Sequence, residues 1–183
     1  WLRGRIEKER TDVYVFYAGH GLVSPDGEDL YLLPYDGVPS LLEDTSLQRT
    51  ELFKVISDAQ PKSTTVFLDT CYSGTSRTDE VLLASRGIVI TPKEQSVPLG
   101  FTVFSAASGV QISGGFDETR HGLFSYYLMK GMEGPADTNS DRKISAGELH
   151  AYIQRNVEKQ AVRLGREQTP ELQGDDDRVL VAW

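Results

Sequence analysis

Two short apolar runs, each opening directly into a glycine-bearing turn, restrict what this chain can fold into more than any other feature. The first is Val13-Tyr14-Val15-Phe16-Tyr17, which leads into Ala18-Gly19-His20-Gly21. The second is Thr65-Val66-Phe67-Leu68, which leads into Asp69-Thr70-Cys71-Tyr72-Ser73-Gly74. Runs of four or five residues rich in β-branched and aromatic side chains, bounded by Gly or Pro, fit parallel strands covered on both faces. In an open parallel sheet, ligands and chemistry gather at the carboxyl ends of the strands. A histidine and the chain's single cysteine are therefore expected on one rim.

The rest of the chain alternates between the same two kinds of element. Ser24-Pro25-Asp26-Gly27-Glu28-Asp29 is turn chemistry, and a strand is expected over residues 30–33, stopped by Pro34. Leu52, Val55, Ile56 and Ala59 have the spacing of an amphipathic helix over residues 50–59, closed by Pro61. Residues 101–106 return to strand and residues 123–132 to helix. Between Gly74 and Pro98 the pattern is irregular, the mark of a long functional or accessible connection. The chain of 183 residues, 39% of them hydrophobic, suits one α/β domain with a substantial core.

A thiol and an imidazole on one rim have a chemical use. A cysteine near its reference pKa of about 8.5 is only a few per cent thiolate at neutral pH, and a neighbouring imidazole can take its proton. The result is a nucleophile for acyl transfer. Glycines beside the reacting groups let a substrate backbone approach, and the N–H groups of Gly21 and Cys71 are the natural donors to an oxyanion. The plainer alternative is a buried small hydrophobe at Cys71 and a satisfied turn histidine at His20.

Phe16-Tyr17-Ala18-Gly19-His20-Gly21 and Leu68-Asp69-Thr70-Cys71-Tyr72-Ser73-Gly74 resemble the histidine and cysteine motifs of caspase-like cysteine peptidases, nearest to the metacaspase and bacterial orthocaspase branch. The separation of 51 positions (71 − 20) agrees with the spacing of about 50 in caspases. Ala18 stands where metacaspases commonly carry Ser. Residues 101–107, the helix from Gly122-Leu123-Phe124-Ser125 and the strand at residues 178–183 resemble later parts of that domain. The resemblance implies a caspase-like α/β/α sandwich over residues 1–183, with a mainly parallel central sheet and without the usual N-terminal strand-helix-strand unit. It implies a cysteine endopeptidase with catalytic His20 and Cys71, in which Asp69 and Ser105 bind substrate and no organic cofactor is required.

Asp69 lies two residues before Cys71, on the same side of a strand by the two-residue period. In metacaspases an Asp at this place selects Arg or Lys before the scissile bond, and this chain has no Arg or Lys in residues 101–118 to receive an acidic side chain. The expected partner is therefore a protein or peptide substrate with Arg or Lys at that position. Arg77, Arg86 and Lys93, within the connection at residues 75–98, are the expected sites of self-processing. A missing N-terminal fragment or regulatory domains are further expected partners. The competing readings are a catalytically silent scaffold, a calcium-responsive interaction domain, and the related CHAT-type peptidases.

Residues 137–148 form an EF-hand-like pattern, with oxygen-bearing Asp137, Asn139, Asp141, Ser145 and Glu148 at positions 1, 3, 5, 9 and 12, and Lys143 at position 7, where the ligand is a backbone carbonyl. Ca2+ is thus a possible ligand. Arg142 replaces the usual turn glycine, and the alternative is a polar connection ending in the capping box Ser145-x-x-Glu148. Metacaspase resemblance also points to Asp36 and Asp79 as calcium-rim residues, although Gln48-Arg49-Thr50 stands where an acidic pair is expected. A net charge of −8 argues against a nucleic-acid surface. No apolar stretch approaches the roughly 18 residues that span a bilayer, so no membrane association is expected. With one cysteine and no signal peptide at the start, a reducing, cytoplasmic location is the expectation.

Overall fold

The computed structural model of the chain describes residues 1–70, 96–108, 111, 115–116 and 121–183. In chain order the strands and helices are β1 Asp12–Ala18, β2 His20–Val23, β3 Leu30–Leu33, α1 Leu42–Thr45, β4 Leu47–Gln48, α2 Arg49–Asp58, β5 Ser63–Asp69 and β6 Phe101–Ser105. They continue with β7 Gly115–Phe116, β8 His121–Gly122, α3 Leu123–Met132, β9 Lys143–Ser145, α4 Ala146–Arg163, β10 Glu171–Gly174 and β11 Val179–Ala182.

The main sheet has the order β1-β5-β6-β10, with the first three strands parallel and β10 antiparallel. Strand β5 is buried at every residue, as a central parallel strand covered on both faces must be. Its alternation divides the core in two. Phe67 and Phe104 face α3 and α4, where Leu123, Phe124, Leu128, Leu149, Ile153 and Val157 close over them. Val66, Leu68, Phe101 and Val103 face the other way, against Phe53 and Ile56 of α2 and Leu30 and Leu32 of β3. The result is the mainly parallel α/β/α sandwich the sequence predicts. Among the described residues, no helix is long and apolar enough to cross a membrane.

Strand β1 departs from expectation. Val13, Val15 and Tyr17 pack inward, but Tyr14 and Phe16 are 56% and 57% exposed. Among the described residues β1 stands at the end of the strand order, and the cluster built by α3 and α4 over Phe67 and Phe104 includes neither Tyr14 nor Phe16. An apolar run alone does not distinguish a strand covered on two faces from one covered on a single face.

The strand over residues 30–33 and the helix over residues 123–132 have the predicted bounds, and the helix predicted over residues 50–59 runs from Arg49 to Asp58. His20 opens β2 rather than lying in a turn, and β2 pairs antiparallel with β3. The C-terminal strand β11 pairs with β9 outside the main sheet.

Candidate active site

Three parallel strands end side by side. The β1–β5 register sets Asp12 opposite Ser63 and Ala18 opposite Asp69, a constant offset of 51 (69 − 18). The ladder continues one step further, where the Gly19 N–H donates to Asp69 O at 3.2 Å. On the other side Leu68 pairs with Ser105, and the Ala106 N–H donates to Leu68 O at 2.9 Å. Asp69 and Ser105 thus stand at the carboxyl ends of the adjacent strands β5 and β6, and His20 follows two residues after the end of β1, at the start of β2. Cys71, Arg77, Arg86 and Lys93 lie outside the described residues, and so does Asp79.

His20 is half-buried and forms the first rung of the β2–β3 hairpin, opposite Leu33. The turn before it is tied down by Tyr17, whose hydroxyl lies 2.7 Å from His20 O and 2.8 Å from Leu33 O. Gly21, buried, is opposite Leu32. One rung past the end of β2, the Ser24 N–H donates to Asp29 O at 2.9 Å. By the two-residue alternation of an antiparallel ladder, His20 and Leu22 then occupy the bonded rungs and Gly21 a non-bonded one. The Gly21 N–H therefore points away from β3.

Asp69 is completely buried. Its carboxylate does not stand alone beside position 71 but turns to the first turn of α3, where both the N–H of Ser125 (3.3 Å) and its hydroxyl donate to Oδ2. The first N–H groups of a helix have no partner within it, and the helix dipole favours negative charge there. Asp69 acts as the cap of a helix 56 residues further along the chain. Gly122 makes the approach possible, because a Cβ there would fall on Asp69 Oδ2 and 2.8 Å from its Cγ. Ser125, Gly122 and Tyr17 have no role in the sequence analysis. The motif Gly122-Leu123-Phe124-Ser125, a glycine and a serine around a helix start, was the available signal for the first two.

The EF-hand-like loop lies beyond the carboxyl end of α3, whereas Asp69 meets its amino end. A ten-residue helix, about 15 Å long, separates them. Arg142 adopts φ 65°, the left-handed conformation that glycine supplies at that place in such loops. Asp137 accepts the N–H groups of Asp141 (3.2 Å) and Arg142 (3.1 Å), Asn139 accepts that of Asp141 (2.8 Å), and Asp141 accepts that of Lys143 (2.9 Å). Ser145 caps α4 in a complete capping box with Glu148, and Thr138 also donates to Glu148 at 3.2 Å. Among the described residues, no group of three or more His, Cys, Asp or Glu side chains is gathered to hold a metal ion. The oxygen donors suit Ca2+ in kind, but Asp137, Asp141 and Glu148 are each engaged with donors of the protein. Asp36 is exposed on the turn after β3.

Residues 1–180 match the peptidase C14 family, described as "Caspase domain". Among solved structures, the chain is similar to caspase-1 from Spodoptera frugiperda, at 17% identity and TM-score 0.54, covering 93% of this chain and 62% of that one. It is also similar to pro-sf-caspase-1, at 15% identity and TM-score 0.51, covering 93% of this chain and 64% of that one. At these identities the likeness concerns the fold, and the chain spans less than two thirds of the length of either. A search of curated proteins finds no match.

Proposed function

Since this chain belongs to the caspase-domain family, we propose that it is a cysteine endopeptidase that cleaves after Arg or Lys through His20 and Cys71. The observation that carries the reading is the register. Ala18 pairs with Asp69 at an offset of 51, and this equals the sequence separation of His20 from Cys71 (71 − 20), which supports reading the two motifs as the continuations of adjacent parallel strands. In the mechanism, His20 takes the Cys71 thiol proton and the sulfur bonds to the peptide carbonyl carbon. The N–H groups of Gly21 and Cys71 hold the oxyanion. Collapse breaks the C–N bond as His20 protonates the leaving amine. A water, deprotonated by His20, then adds to the thioester and releases the acid and the free thiol.

Asp69 gives the specificity in this reading. A carboxylate buried beneath the rim attracts a cationic side chain and leaves an acidic one with an unpaired charge, which costs several kcal/mol. The absence of Arg and Lys in residues 101–118 and the motif Asp69-Thr70-Cys71 support the metacaspase and orthocaspase side of the family. Ser105, on the neighbouring strand end, contacts the substrate backbone. The same specificity turned on the chain itself would cut after Arg77, Arg86 or Lys93.

The test is a cleavage profile on a peptide library, with the intact mass of the enzyme followed in parallel. The expected result is cleavage after Arg and Lys, a loss of that preference in Asp69→Asn, and self-cleavage in wild type but not in Cys71→Ala. Preferential cleavage after Asp, or an unchanged basic preference in Asp69→Asn, would remove the specificity assignment.

A second reading, calcium responsiveness, draws on Arg142, whose left-handed φ makes the turn that its side chain argued against. Calcium would be held by Asp137, Asn139, Asp141, the Lys143 carbonyl and Glu148, once these side chains turn from their present donors.

A further inference from the structure

We infer that Tyr17 is a positioning residue for His20 and acts through its hydroxyl, an inference that rests on the dyad reading above. Tyr17 belongs to β1, the edge strand of the main sheet, whereas His20 opens a hairpin that leaves that sheet. The hydroxyl bridges the two. It stands 2.7 Å from His20 O and 2.8 Å from Leu33 O, and these carbonyls belong to one rung, because Leu33 is the partner of His20 in the β2–β3 register. A phenol has a single proton to donate, so the two acceptors share it in a three-centre bond.

Gly19 is what lets the ring lie there. A Cβ at that position would stand 2.7 Å from the Tyr17 hydroxyl oxygen and 2.9 Å from Cζ, closer than side-chain carbons pack. The glycine of the Gly19-His20-Gly21 turn therefore serves the phenol as well as the chain reversal. The His20 backbone is held from three directions: through the Gly19 N–H on Asp69 O, through the rung with Leu33, and through the Tyr17 hydroxyl. The third tie fixes the peptide plane that follows the imidazole-bearing Cα. A misplacement of about 1 Å in a reacting group can cost about a hundredfold in rate, so a tie of this kind acts on the chemical step rather than on substrate affinity.

Tyr17→Phe removes the hydroxyl and keeps the ring over Gly19. It is expected to lower kcat on a basic peptide substrate about tenfold, part of that hundredfold range, at unchanged KM. It is also expected to move the imidazole 15N resonances of His20 while leaving those of His150, which is held on Pro170 O in another part of the fold, where they are. Gly19→Ala, which keeps the hydroxyl but drives a Cβ against it, is expected to give the same pattern. Wild-type kcat together with unmoved His20 resonances in Tyr17→Phe would overturn the assignment, as would an equal displacement of the His20 and His150 signals. Should Tyr17→Phe not fold, a slowly exchanging Tyr17 hydroxyl proton in the wild type supports the tie, and its absence overturns it. A wild type that hydrolyses no peptide would instead remove the dyad reading, and the resonances alone would then decide the role of Tyr17.

Discussion

Asp69 joins the carboxyl end of β5 to the first turn of α3, where the N–H and the hydroxyl of Ser125 both donate to its carboxylate. A hydrogen bond to a buried charged group contributes about 1.5–3 kcal/mol. Ser125→Ala is therefore expected to lower the stability in urea by that order, with Ser125→Thr, which keeps the hydroxyl, losing much less. Equal stability of wild type and Ser125→Ala would mean that the carboxylate is satisfied without it. The expected projection of Asp69 toward a pocket beside Cys71 concerns a residue outside the described ones, whereas the Asp69 carboxylate is seen on Ser125 of α3. Its helix partner was not legible, because no periodicity links a strand end to a helix start 56 residues away. Tyr17 was hidden for a related reason: a tyrosine in an apolar run reads as packing, and only the fold shows its hydroxyl on the carbonyls of a different sheet.

The start of α4 was legible in detail, since Ser145-x-x-Glu148 before an apolar-periodic stretch is a capping signature and the capping box forms. The Ser145 N–H holds the Glu148 carboxyl below the usual carboxylate value of 4.5 against the opposing effect of burial, with lesser help from the Ser145 hydroxyl and from Thr138. A carboxylate with a lowered folded pKa adds stability that is in place above its unfolded value and lost as pH falls through the folded one. The difference in stability between wild type and Glu148→Gln should therefore be present at neutral pH, begin to fall only below the usual value of 4.5, and vanish once the pH has passed the lowered folded value. A difference that persists unchanged into acid would contradict the capping role. In the same loop, calcium is expected to raise the melting temperature saturably, with Asp137→Ala abolishing the response. No response of the wild type to millimolar calcium would remove the loop as a calcium site. Strand β10, in contrast, was not foreseen: Glu171-Leu172-Gln173-Gly174 has too little β-branched or aromatic character to read as a strand, and pairing with β6 makes it one.

At the scale of the whole molecule, two apolar runs and one helix period were enough to anticipate a parallel sheet with helices on its faces, because β5 is buried on both sides and its alternation feeds two separate cores. The exposure of Tyr14 and Phe16 among the described residues was not legible, since an apolar run does not tell how many faces of a strand are covered. The common rim of His20, Asp69 and Ser105 follows from the same sheet, with the offset of 51 as its numerical trace. The central claim is that His20 and the cysteine one register offset away act as a unit. The direct measurement is the turnover of one peptide with Arg before the scissile bond by wild type, His20→Ala, Cys71→Ala and the double variant. The account predicts that each single substitution removes nearly all turnover and that the double variant is little worse than either. Substantial turnover by Cys71→Ala would contradict it.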